Sequence, residues 1–187
     1  MYSSTKYISN IVQADYGIFG NGSNIMNLQN LTTYYSELID TCELERLVSF
    51  GKSNNVYVHL NELLYETSDE YKYFIKKHII LNKDYPKKLK SNVRIVGNLI
   101  SYVKENKYVV KVIFVSENNM SNFMKKFKNE FPNLFINEYN QNLYESAINK
   151  SINYIEIGAK NTNKAEGLKI LIKNLNIKPE EVLVIGD

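Results

Sequence analysis

Arginine is nearly absent from this chain of 187 residues: Arg46 and Arg94 are the only two in a Lys-plus-Arg total of 23. Bidentate reading of phosphate or guanine favours the planar guanidinium. The formal net charge of +3 therefore reads as solvated lysine, and no nucleic-acid partner is expected. Cysteine is reduced to Cys42, which excludes an internal disulfide. That residue shares helical spacing with Leu38 and Ile39 and reads as a small buried hydrophobe. No apolar run approaches the roughly 20 residues of a membrane span, and the first ten residues are polar where a signal peptide would be apolar. A cytoplasmic chain in a reducing compartment, with no membrane partner, is the expectation. The two histidines have no neighbours at metal-ligand spacing. His78 falls on an apolar helical stripe, and His59 shares a strand face with Tyr57. The 15 tyrosines are scattered, which argues for packing rather than for stacking on single-stranded nucleic acid. There is no internal repeat, and nothing in the pattern sets an oligomeric state.

What remains is globular in composition, with 44% hydrophobic and 23% charged residues, enough for one ordinary domain or one small domain with part of another. Residues 4–12 suit a short helix. Tyr16 to Phe19 reads as a brief strand stopped by Gly20-Asn21-Gly22, with a return strand over 23–27; Asn-Gly is a turn signal because both residues tolerate positive φ. A helix is expected over 36–50, strands over 56–60 and 63–66, a helix over 69–80 and a loop over 82–95. Residues 109–115 are rich in β-branched side chains and form the clearest strand. Met120, Phe123, Met124, Phe127 and Phe131 mark one face of the helix that follows, and strands are expected over 134–139 and 151–157.

The last stretch changes style. Asn163 suits an N-cap, with Glu166 three residues on as in a capping box, and Leu168, Leu171, Ile172 and Leu175 stripe the helix. Pro179-Glu180-Glu181 turns the chain into Val182-Leu183-Val184-Ile185, an apolar run expected to form a strand buried on both faces, ending in Gly186-Asp187. Strand, helix, turn and buried strand make a βαβ unit of a parallel sheet. Ligands of such sheets bind at the carboxyl ends of the strands. A carboxylate there, as at Asp187, can hold a hard cation such as Mg²⁺, although placement alone favours an Asp that merely caps the next element. Lys164 lies in the first turn of its helix, against the dipole. It makes sense there if it points at a phosphate or carboxylate, and is otherwise a lysine reaching into solvent.

Taken in order, Ile155-Glu156-Ile157, Lys164, the helix to Asn176 and the run from Pro179 to Gly186-Asp187 resemble the C-terminal half of the Cof-type branch of the haloacid-dehalogenase-like (HAD) hydrolases. Phe19-Gly20-Asn21-Gly22-Ser23 resembles the Asn-Gly turn that precedes the same family's cap, and the two matches flank a span of cap size. The resemblance implies an α/β fold: a partial HAD-like Rossmannoid core with a parallel sheet, and a large inserted α+β cap. Its pieces would be residues 1–27 and 152–187 for the core and 28–151 for the cap. It implies a phosphatase acting on small phosphorylated metabolites, such as sugar or cofactor phosphates, through an aspartyl-phosphate with Mg²⁺. Lys164 takes the catalytic lysine role, Asp187 the metal-ligand role, and Asn21 and Gly22 lie at the substrate-binding mouth. The family's Asp-x-Asp nucleophile motif occurs nowhere in residues 1–187. The expectation is thus a fragment cut at both ends and inactive as it stands, with an ordered cap and core pieces at 15–19 and 182–186 that fail to pair. The alternative is a non-catalytic ligand-binding or interaction module built on the cap.

Overall fold

The computed structural model describes residues 9–70, 93–106, 108–134, 136–145, 150–160 and 162–184. The expected helix over 69–80, with His78, and most of the expected loop over 82–95 lie outside them, as do residues 185–187. Two sheets organise the described residues. β1 (Tyr16–Phe19), β2 (Asn24–Asn27) and β3 (Thr33–Ser36) form an antiparallel meander in that order. The second sheet has six strands in the order β6-β5-β4-β7-β9-β8. These are β4 (Tyr57–Glu62), β5 (Glu66–Ser68), β6 (Val93–Ile95), β7 (Val109–Ser116), β8 (Ile136–Glu145) and β9 (Lys150–Gly158). All its pairings are antiparallel except that of β5 with β6. The helices whose full extent lies among the described residues are α1 (Thr41–Ser53), α2 (Leu99–Glu105), α3 (Ser121–Glu130) and α4 (Lys164–Asn174). Among the described residues no helix is long and apolar enough to cross a membrane.

The α/β class holds, and several elements differ from expectation. Ser36 belongs to β3, and α1 starts only at Thr41, where the Asp40 carboxylate accepts from the Cys42 and Glu43 backbone N–H groups. Cys42 is exposed, not buried. The buried stripe of α1 is Leu44, Leu47, Val48 and Gly51, and at 100° per residue Cys42 faces the other way. Residues 93–95, at the end of the expected loop, are β6, and α2 was not foreseen: it is short, and Asn98 caps it by accepting from Ser101 N–H. Residues 182–184 do not form the expected buried strand, and Leu183 and Val184 are 84% and 71% exposed. The hydrogen-bonded neighbour of β1 is β2.

The six-stranded sheet is two-faced. Val58, Leu60, Val112, Phe114, Ile155 and Ile157 point to one side and join α1, α2 and α3 in a single apolar core. Phe50, Phe114, Phe123, Phe127 and Phe131 interlock there with ring centroids 5.0–6.2 Å apart, a spacing that favours aromatic pairs. The alternate residues face the other way, and the register sets Asn61 beside Glu66 and Lys111, and Ile113 between His59 and Glu156. This face sets covered polar groups beside a smaller apolar cluster of Tyr57, Ile113, Val115 and Ile152: His59, Asn61, Glu66 and Lys111 are each at most 7% exposed.

Burial pushes the Glu66 carboxyl up from 4.5 to about 7, because desolvation disfavours the charged form. An acid whose pKa is raised by folding is stabilising while protonated, so this group's contribution is fully present below about pH 4.5 and is lost as pH rises through about 7, on the order of 3 kcal/mol. Glu66→Gln is expected to remove that slope. Urea unfolding should show the variant more stable than the parent at pH 8 and indistinguishable from it near pH 4.

Candidate functional site

The turn between β1 and β2 runs through three consecutive left-handed residues, Gly20, Asn21 and Gly22, at φ of 58°, 57° and 97°. Two glycines and an asparagine are the residues that tolerate this. The Ser23 hydroxyl closes the turn by donating to the Gly20 carbonyl at 2.7 Å. The N-terminus of α4 packs directly on it. A Cβ built on Gly22 would lie 2.0 Å from the Asn163 carbonyl oxygen, and one on Gly167 would lie 2.9 Å from the Gly22 Cα. Both positions therefore exclude any side chain, and the absence of two Cβ atoms lets turn and helix touch.

Asn163 caps α4, its side-chain oxygen accepting from Glu166 N–H at 2.9 Å. The Glu166 carboxylate pairs with Lys169 at 2.6 Å. Lys164, the first residue of the helix, is exposed. A cavity of about 610 Å³ opens here, lined by Ile18, Phe19, Gly20 and Asn21 from the turn, Lys164, Ala165 and Leu168 from α4, Val184, and Lys111 from β7. Asn21 and Lys164, separated by 143 positions, thus share one cavity. Gly22 is buried behind it, as the joint against Asn163. Asp187 lies outside the described residues.

Lys111 was not anticipated. It is 7% exposed and its ammonium is 2.5 Å from Glu156 Oε2 on β9. A signal for it existed: one lysine inside Val109-Val110-Lys111-Val112-Ile113-Phe114-Val115, and one glutamate inside Ile155-Glu156-Ile157, each a lone charge in a buried strand. Buried charges occur paired, and adjacent strands bring these two together. Of the two histidines, His59 is 1% exposed with its ring 5.8 Å from that of Tyr57, a packed core position.

The cavity can take an anion. Of its charged lining groups the Lys164 ammonium is exposed while that of Lys111 is already paired with Glu156, and the N-terminus of α4 adds positive potential. The described lining does not by itself fit a divalent cation, having no carboxylate. Among the described residues no group of three or more His, Cys, Asp or Glu side chains could hold a metal.

A family model for haloacid dehalogenase-like hydrolases matches residues 1–187. Among solved structures, a haloacid dehalogenase-like hydrolase from Bacteroides thetaiotaomicron is similar over 100% of this chain and 65% of its own, with a TM-score of 0.74 at 14% identity. One from B. subtilis matches over 100% and 67%, at 0.69 and 15%. A structure described as a HAD subclass IIB sugar phosphatase matches over 95% and 59%, at 0.64 and 16%. The chain thus spans about two thirds or less of the lengths of these structures, and at such identities the likeness is one of fold. No curated protein matches.

Gly22→Ala should drive a Cβ into the Asn163 carbonyl and strain a backbone at φ 97°. A loss of about 1–3 kcal/mol is expected. Hydrogen exchange should rise first in the 20–24 turn and the opening turn of α4, while β4 and β7 keep their protection.

Proposed function

The chain belongs to the haloacid dehalogenase-like hydrolase family, and from that premise we propose that it carries the lysine side of a phosphatase site for small phosphorylated metabolites, of the sugar-phosphate or phosphorylated-cofactor class. The observation that carries this reading is the cavity in which Asn21 and Lys164 meet at the N-terminus of α4. The Lys164 ammonium donates to phosphoryl oxygens and offsets their charge, a contribution largest where charge grows in the transition state. The left-handed turn places Gly20 and Asn21 on the lining of the same cavity. The name of the sugar phosphatase with the same fold supports the substrate class.

Mg²⁺ belongs to the same reading, with Asp187 as the ligand this chain would contribute; bound there, the ion would neutralise phosphoryl charge. Attack on phosphorus needs an Asp-x-Asp nucleophile, which residues 1–187 do not contain. The polypeptide of this sequence is therefore proposed to bind phosphate esters without turning them over. The division into core pieces 1–27 and 152–187 and cap 28–151 is part of the proposal. Its joints are best moved to where strands pair: β3 stays with the meander, and β9 with the six-stranded sheet through Gly158.

A second reading, a non-catalytic ligand-binding module built on the cap, is favoured by one observation: the six-stranded sheet and α1 to α3 enclose a continuous core of their own. Titration calorimetry with inorganic phosphate and an aryl phosphate separates the two. On the first reading both ligands bind, and Lys164→Met weakens them about tenfold or more, the loss of a charge-assisted hydrogen bond of about 1.5–3 kcal/mol. Binding that ignores Lys164 favours the second, and aryl phosphate turnover lost in Lys164→Met would overturn the claim that this polypeptide does not turn over its ligand.

A further inference from the structure

Four side chains stand in a row across neighbouring strands of the six-stranded sheet. Glu66 on β5 is directly opposite Asn61 on β4, and Asn61 is directly opposite Lys111 on β7. Lys111 donates to Glu156 on β9 at 2.5 Å. Glu66, Asn61 and Lys111 are 4%, 5% and 7% exposed, and the Glu156 side chain 16%. Directly opposed side chains share a face, with Cβ atoms about 4.5–5.5 Å apart. The Asn61 amide therefore lies between an amine and a carboxyl group. Its oxygen is buried and accepts no hydrogen bond, which is unfavourable.

The chemistry along the row is ordered. Lysine is a nucleophile once its proton is removed, and burial makes that removal easier. Glu156 already holds the proton in a hydrogen bond. At the other end, burial pushes the Glu66 carboxyl up to about 7, so it keeps a hydrogen that an exposed glutamate would lose. Two carboxyl groups in different surroundings can thus divide the base and acid work. An amide is a poor electrophile in water. Here the sheet keeps amine and amide as neighbours, and well-oriented neighbours react as though at about 10⁵–10⁸ M.

We propose that Lys111 and Asn61 join spontaneously in an isopeptide bond that ties β7 to β4, with Glu156 as the base and Glu66 as the acid. Glu156 takes a proton from the Lys111 ammonium, and Nζ attacks the Asn61 Cγ. Glu66 donates to the amide oxygen as negative charge gathers there. The Nζ–Cγ bond forms and the Cγ–Nδ2 bond breaks. A second hydrogen from Nζ goes to Nδ2, which leaves as ammonia and then accepts the proton held by Glu156. Nothing is oxidised or reduced. The link closes the loop between positions 61 and 111 and fixes the register of the central strand pair. It is independent of the phosphate reading of Lys164.

Intact-mass spectrometry of the full chain, fresh and after prolonged incubation, reads the reaction directly. The incubated parent should be lighter than its sequence by one ammonia. Its tryptic digest should contain a branched peptide joining the segments that hold Asn61 and Lys111. Asn61→Asp should lose one water instead, and Asn61→Leu should keep its full mass. Glu66→Gln should slow the loss by about a hundredfold, the scale of general acid catalysis. The linked chain should also need more urea to unfold than Asn61→Leu, because the link restricts the unfolded state. The branched peptide is sought in the parent itself, so the test stands even where a variant does not fold. A parent that keeps its full sequence mass overturns the proposal. So does ammonia loss without the branched peptide, or ammonia loss that persists in Asn61→Leu. An unchanged rate in Glu66→Gln overturns the part given to Glu66.

Discussion

The structure turns on strand β7, which is buried on both sides and chemically different on each. Val112 and Phe114 enter the apolar core beneath the helices, and Lys111 and Ile113 face away from it. Its central place between β4 and β9 pins the register of the whole sheet, because a one-residue slip would drive Lys111 into the phenylalanine cluster and Phe114 into the polar face. The first sheet is tied to the same strand. Ile39 donates its backbone N–H to the Val109 carbonyl at 2.9 Å, and a Cβ on Gly20 would lie 3.5 Å from Val110 Cγ2. The strand that anchors the core therefore also forms one wall of the cavity.

The opposite wall depends on something smaller, the missing Cβ atoms of Gly22 and Gly167. Their close approach lets the α4 N-terminus reach the β1–β2 turn without an intervening side chain. That contact brings the α4 N-terminus, and Lys164 with it, to the cavity that Asn21 also lines. A lysine at the first helical position opposes the helix dipole. The arrangement is consistent with a site organised around an anion, where the dipole and the ammonium act in the same direction.

Much of this was legible in the sequence wherever local chemistry dictates local shape. Gly20-Asn21-Gly22 announced a left-handed turn, Asn163 announced a helix start, and the β-branched run from Val109 announced the central strand. Elements that depend on tertiary context were missed. α2 is only seven residues long, less than two turns beyond its cap, too short for a helical period to repeat. β3 has an exposed, tyrosine-bearing sequence whose strand form comes from pairing with β2. Cys42 was misread because a helical stripe was extended past the Asp40 cap that starts the helix. The run 182–184 has the composition of a doubly buried strand, but burial is supplied by neighbours, and a run of valine and leucine cannot report whether they are there. At the cavity, the lysine at a helix start was visible as an oddity, while Lys111 was hidden because strand periodicity alone does not say which strand supplies a buried charge with its partner.

The two lysines of the cavity show how the same ion can be given different work by its surroundings. Lys164 is exposed and lies at a helix terminus, so its full charge acts on whatever enters, screened mainly by water and salt. Lys111 is withdrawn from water and neutralised at 2.5 Å. A desolvated pair of this kind contributes little net stability, and losing one partner costs about 3–5 kcal/mol, so the pair holds its geometry without projecting a field. An unneutralised Lys111 would make the cavity uniformly cationic and attract anions without regard to orientation. Pairing it with Glu156 offsets that charge at its source.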